Sequence, residues 1–184
     1  PARRNLRIFP EHGEDSPMID RRSLIAALPA LAASAVLAAP GSASPTDFDA
    51  ELRAIQQAWA EANYRSANDD EKRKSLEALA ARAAAFSQSY PDRAEPLVWE
   101  GIVLSSYAGA KGGLGALRLA RRARDRLEAA MALDPDVLDG SAYTTLGVLY
   151  YKVPGFPLGF GDDRKAGALL RKALEINPDG IDPN

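Results

Sequence analysis

The chain has 184 residues, 23 Lys and Arg against 25 Asp and Glu, a formal net charge of −2, one histidine and no cysteine. This length suits one ordinary domain with room for a core, and the near-neutral charge gives no electrostatic case for nucleic acid. The missing cysteines exclude disulfides, zinc–thiolate sites, thiol nucleophiles and a lipid-modified N-terminal cysteine; the lone His12 falls in a segment expected to be disordered or absent, so neither a histidine base nor a histidine-rich metal site is expected.

Met18-Ile19-Asp20-Arg21-Arg22 precedes an apolar run from Leu24 to Leu37 and a small-residue exit, Ala38-Ala39-Pro40-Gly41-Ser42-Ala43. That order reads as a signal peptide over 18–43, with cleavage after Ala43. The apolar run is shorter than the ~20 residues a membrane span needs, so no stable span is expected after cleavage. Arg21-Arg22-Ser23-Leu24-Ile25 resembles a twin-arginine export signal, although Asp20 and Leu24 depart from that pattern; a general-secretion signal remains the alternative. Either route implies a periplasmic or secreted protein. Met18 is an attractive start, so 1–17 reads as a non-native or disordered upstream segment.

From residue 46 to 184 the chain reads as one helical domain. The first helix is expected after Thr46, with Phe48, Leu52, Ile55 and Trp59 on one face. A second opens at Asn68-Asp69-Asp70-Glu71, carries Leu76, Leu79, Ala83, Phe86 and Tyr90, and stops at Pro91. The next begins near Glu95 with Leu97, Gly101, Leu104 and Ala108, and breaks at Lys111-Gly112-Gly113-Leu114-Gly115. The fourth is expected from about Ala116 to Leu133, burying Leu119, Ala120, Ala123, Leu127 and Ala130. A fifth carries Tyr143, Leu146, Gly147 and Tyr150. The ten-residue segment Val153–Asp162 is then a loop, and a last helix carries Ala166, Leu169, Leu170, Ala173 and Leu174 up to Asn177-Pro178.

Three Pro-Asp pairs, at Pro91, Pro135 and Pro178, close successive helix pairs at spacings of 44 and 43 residues. A period in this range marks stacked repeats. Tyr143, Leu146-Gly147 and Tyr150, followed by Ala166, Leu170, Ala173 and Pro178, resemble the tetratricopeptide repeat. Leu97, Gly101 and Leu104, with Ala123, Leu127, Ala130 and Pro135, form a looser copy, and Leu79, Ala83 and Pro91 a degenerate one. The resemblance implies an all-α antiparallel helix-pair solenoid of about three units. The family's period is about 34 residues, and the surplus here lies between the two helices of a pair, at Gly109–Gly115 and Val153–Asp162. Stacking should bring both insertions to one edge. The chain is also similar to periplasmic tetratricopeptide proteins associated with TRAP-type uptake systems, from whose lipoprotein character the missing cysteine departs.

Several side chains are candidates for that edge. Phe156, Leu158 and Phe160 in the apolar loop either fold back over the core or contact a ligand or subunit. Tyr107 and Tyr151 lie off the main helical stripes and are groove candidates, whereas Trp99, Tyr143 and Tyr150 read as core. Arg118, Arg122 and Arg126 form a row that would hold an anionic ligand or acidic partner, or else a solvated face paired with Asp125 and Glu128. Lys111-Gly112-Gly113-Leu114-Gly115 lacks the Gly-Lys-Ser/Thr order and preceding strand of a phosphate loop. No catalytic residue, metal or cofactor is assigned. The expected function is an exported, non-catalytic scaffold binding a protein or peptide partner, open to oligomer formation; the alternative is a small-ligand-handling accessory of a TRAP-type system. A carboxylate-only enzyme is the remaining class.

Overall fold

The computed structural model describes residues 45–180; His12, the upstream segment and the expected signal peptide lie outside the described residues. The domain is all-α: α1 Pro45–Tyr64, α2 Asp69–Ser89, α3 Ala94–Lys111, α4 Gly113–Leu133, α5 Val137–Lys152 and α6 Asp163–Ile176. No described helix is long and apolar enough to cross a membrane.

Local chemistry sets most boundaries. Asn68 caps α2, its Oδ1 accepting from the Glu71 amide at 2.9 Å, while Glu71 Oε2 accepts from the Ala67 amide at 2.8 Å. The Asn68 bond satisfies one orphan donor of the helix start, and Glu71 reaches back one residue beyond the cap, a variant of the capping box. Asp162 caps α6 by accepting from the amides of Arg164 and Lys165 at 2.9 and 3.0 Å. The entry to α5 is less regular: Leu138, Asp139 and Gly140 have φ of 50°, 53° and 80°, so regular helix resumes only at Ser141.

The helices pack progressively, each touching only helices one or two places along the chain. α1–α2, α3–α4 and α5–α6 form hairpins; α2 packs on α3, α4 on α5, and α3 also meets α1 and α5. Nearest-neighbour contact of this kind is what stacked helix pairs produce. α3 is therefore the central element, touching four helices, and buries Leu97, Val98, Val103, Leu104, Tyr107 and Ala108.

Hairpins two and three close through the same three-residue contact. A Cβ built on Gly101 would lie 2.6 Å from Leu127 Cγ and 3.3 Å from the Ala123 carbonyl oxygen; one on Gly147 would lie 2.8 Å from Leu170 Cγ and 3.3 Å from the Ala166 carbonyl oxygen. In both, a glycine on the first helix lets the second approach until the leucine rests on backbone. The first hairpin is held differently, by aromatic packing. Phe48, Phe86 and Tyr90 form a three-ring cluster with centroids 4.9–5.2 Å apart, and the Arg93 guanidinium lies 3.7 Å above Phe48. Trp59 meets Trp99 edge-on and donates from Nε1 to Ser106 Oγ at 2.8 Å.

The surplus length is used in two ways. Val153–Asp162 is the loop the sequence predicts. The Gly109–Gly115 insertion is not: α3 continues to Lys111, α4 starts at Gly113 rather than Ala116, and the turn is made at Gly112 and Gly113. Both have positive φ, 64° and 60°, which glycine adopts without a Cβ penalty. Gly115 falls in the first turn of α4, where amides lack intrahelical partners in any case.

Candidate interaction edge

The ends of α3 and α5 and the start of α4 enclose an open, largely apolar groove of about 740 Å³. Its walls include Leu114, Leu117 and Ala120 of α4 and Val148 and Leu149 of α5. Residues of both insertions line it: Gly109, Gly112, Gly113 and Leu114 from one, Val153 and Pro154 from the other. Both insertions thus border one space, although one is helical. Lys152 is the only charged residue in the lining. A smaller depression of about 420 Å³ between α1 and α2 is more polar, with Glu61, Arg65 and Glu71 in its wall.

The loop beside the groove is tightly built. The Gly161 amide donates to the Pro154 carbonyl at 3.0 Å, Gly159 to Gly155 at 3.1 Å, and Asp162 to Tyr150 at 2.9 Å. A Cβ on Gly161 would sit 1.9 Å from the Val153 carbonyl oxygen, and one on Gly159 2.4 Å from that of Pro154, so no other residue fits this path. The three apolar loop side chains diverge from this frame. Phe160 folds back, edge-on to Tyr150 at 5.2 Å, with the Arg124 guanidinium 4.9 Å from its ring centre. Phe156 and Leu158 do not: they are 94% and 66% exposed. The Leu158 carbonyl reaches α4, where it accepts from Arg121 at 3.5 Å. The two readings of the loop each hold for part of it, because hydrogen bonds that close the stem aim only residue 160 at the core.

The other candidates separate in the same way. Tyr151 is exposed, one residue before Lys152. Tyr107 is not a groove residue: it is only 4% exposed, and its hydroxyl accepts from Lys111 Nζ at 3.0 Å. Position off the stripe does not free it, since α3 is covered by helices on several sides. The arginine row is also divided. Arg118 is exposed and has no ion-pair partner among the described residues, whereas Arg122 and Arg126 reach Glu100 of α3. Of the partners expected for the row, Asp125 pairs with Arg124 at 2.8 Å, and Glu128 is shared by Lys165 at 3.7 Å and Arg124 at 3.9 Å. The hydrogen bond from Arg124 to Asp125 strengthens the guanidinium's hold on its proton against partial desolvation.

Glu100 was not singled out by its sequence position, and it is fully buried. Its Oε2 accepts from Ser87 Oγ at 2.6 Å. Oε1 lies 3.1 Å from Arg126 Nε and 3.7 Å from an Arg122 nitrogen, without an aligned hydrogen bond. The attraction there is charge on charge, and it ties α4 to the α2–α3 junction. The available signal was a lone acid inside the apolar run Leu97-Val98-Trp99-Glu100-Gly101-Ile102-Val103-Leu104, since a carboxylate so placed needs a cationic partner.

Among the described residues no group of three acidic, histidine or cysteine side chains is arranged to hold a metal ion. No protein-family model matches the chain, and no curated protein matches it. Fold and edge together define an all-α protein of antiparallel helix pairs with an apolar groove and a rigid apolar loop side by side.

Proposed function

We propose that the chain is an exported, non-catalytic scaffold of tetratricopeptide-like repeats that binds a protein or peptide partner along this edge. The observation that carries the reading is the pairing of a glycine-locked loop, holding Phe156 94% exposed, with an adjacent groove of about 740 Å³. A loop backbone already fixed by its own hydrogen bonds presents this aromatic with less main-chain ordering cost on binding. An open groove suits an extended or helical segment. The recurrent Gly–Leu–Ala contact supports the repeat reading, and the export assignment rests on residues 18–43.

The test is recovery of partners from periplasmic extract by wild type, by Phe156→Asp/Leu158→Asp, and by a control carrying Glu77→Lys on α2. Loss of specific partners with the loop variant alone is expected. Equal recovery by all three refutes the edge as the binding surface. The groove volume also falls within the range of small-molecule sites, which favours a second reading as a ligand-handling accessory; native mass spectrometry of the freshly isolated protein would reveal a retained small molecule.

A further inference from the structure

We propose that the partner of this edge is a second copy of the chain, the loop tip of each copy seating in the groove of the other. The inference rests on reading the edge as a partner surface. The chain supplies both halves of the contact and satisfies neither internally. Phe156 and Leu158 project into solvent while the apolar groove beside them stands open. Glycine-locked hydrogen bonds hold the stem at Gly159 and Gly161, so the tip cannot simply fold into its own groove.

Adjacency gives the symmetry. Val153 and Pro154 are at once groove wall and loop stem, and the Leu158 carbonyl touches Arg121, next to the groove residue Ala120. When prominence and recess adjoin, a two-fold axis between copies engages both at once and closes the assembly. The loop from Val153 to Gly161 carries no charge, and Lys152 is the only charged groove residue, so no like charges meet between tip and groove.

The area fits a weak pair. Leu114 and Val148 of the groove and Phe156 and Leu158 of the tip are 87%, 44%, 94% and 66% exposed. Together they present roughly 500 Å² per copy, given the large area of an aromatic side chain. Covering both sets removes about 1,000 Å² of accessible surface, the size of a weak, reversible interface. The pair should therefore be reversible and concentration-dependent.

The natural absence of cysteine makes the test direct. Phe156→Cys and Val148→Cys copies, mixed and mildly oxidised, should form a disulfide-linked heterodimer, while Phe156→Cys with Glu77→Cys on α2 should not. Sedimentation velocity of the wild type should approach twice the monomer mass as concentration rises, and Phe156→Asp/Leu158→Asp should weaken association at least about tenfold. Its circular dichroism melt reports folding, and both altered side chains lie in solvent. A wild type that stays monomeric, with cross-linking no greater than the Glu77→Cys control, overturns the proposal. If extract partners still depend on Phe156 and Leu158 in that case, the edge remains a binding surface and only the second copy falls. If neither partner recovery nor self-association responds, both readings fall.

Discussion

Replacing Gly101 or Gly147 with alanine tests whether the two later hairpins are closed by glycine. A Cβ on Gly101 arrives 2.6 Å from Leu127 Cγ and 2.8 Å from its Cδ2, well inside contact distance. Leu127 is fully buried beside Ala123 and Ala130, which are equally inaccessible, so it has no room to yield. Overpacking of this kind costs about 1–3 kcal/mol, offset by the roughly 0.5–1 kcal/mol that alanine gains over glycine inside a helix. The net expectation for Gly101→Ala is a loss of about 1–2 kcal/mol, or about 3–8 °C in Tm for a domain of this size. Gly147 meets the same geometry at 2.8 Å, but Leu170 is only half-buried and can turn outward. Gly147→Ala should therefore cost clearly less, about 0–1 kcal/mol. Urea titrations followed by far-ultraviolet circular dichroism measure both. Gly101→Ala with Leu127→Ala should lose less than the sum of the single variants, because the new methyl occupies part of the space vacated. The reasoning is refuted if Gly101→Ala is as stable as wild type, or if Gly147→Ala is the worse of the two.

In the loop, Gly161→Ala should disrupt the stem and lower Tm, whereas Gly155→Ala, whose Cβ meets only the Gly161 carbonyl oxygen at 3.4 Å, should be tolerated; equal melts refute the lock. Asp139 is exposed in the left-handed region at φ 53°, so Asp139→Gly should stabilise by about 0.5 kcal/mol after allowing for the freer unfolded glycine; a fall in the urea midpoint contradicts this. Glu51 links α1 to α2 through Arg82 at 2.7 and 2.8 Å. The hydrogen bond from Arg82 holds the Glu51 carboxyl below its usual range despite some desolvation. A carboxylate depressed by folding stabilises above its unfolded pKa of about 4.3 and loses that contribution as pH falls through the folded value. Because the pair is solvent-screened, Glu51→Gln should cost at most about 0.5 kcal/mol at neutral pH. The wild-type and Glu51→Gln stability curves should converge in acid; curves that diverge as pH falls refute the assignment.

Much of the fold was legible because its helices are punctuated by chemistry that acts locally. Asn68 and Asp162 cap helices, Pro91, Pro135 and Pro178 follow helix ends, and the stripe Leu119, Ala120, Ala123, Leu127, Ala130 is buried throughout. What was not legible depends on how many neighbours a helix acquires. Tyr107 lies off the stripe of α3, yet four packed helices leave that face no solvent. Arg122 and Arg126 look toward Asp125 and Glu128 in sequence, but the buried carboxylate of Glu100 on another helix is the stronger attractor. The glycine run from 112 to 115 reads as a broken segment, because propensity does not register that two successive positive-φ glycines, Gly112 and Gly113, can turn the chain and release the rest into helix. The groove itself had no sequence signature, as Leu117 and Val148 are ordinary apolar positions whose partial exposure follows from where neighbouring elements stop.

On the tetratricopeptide reading proposed above, the edge arises from the excess of 43–44 residues per unit over that family's usual repeat of about 34. A standard unit turns between its two helices in a few residues, leaving little there to enclose a space. In the second hairpin the extra residues lengthen α3 and α4 to 18 and 21 residues, and the ends of those helices become one groove wall. In the third they leave α5 and α6 at 16 and 14 residues and build the loop whose stem is the facing wall. Neither insertion makes the groove alone, and hairpin stacking sets them side by side. The fully exposed phenyl ring of Phe156 is carried on the wall that only the third hairpin supplies. A binding surface here is thus a property of two consecutive units, and shortening either one to the standard length should remove the groove while leaving the Gly–Leu contacts of the hairpins in place.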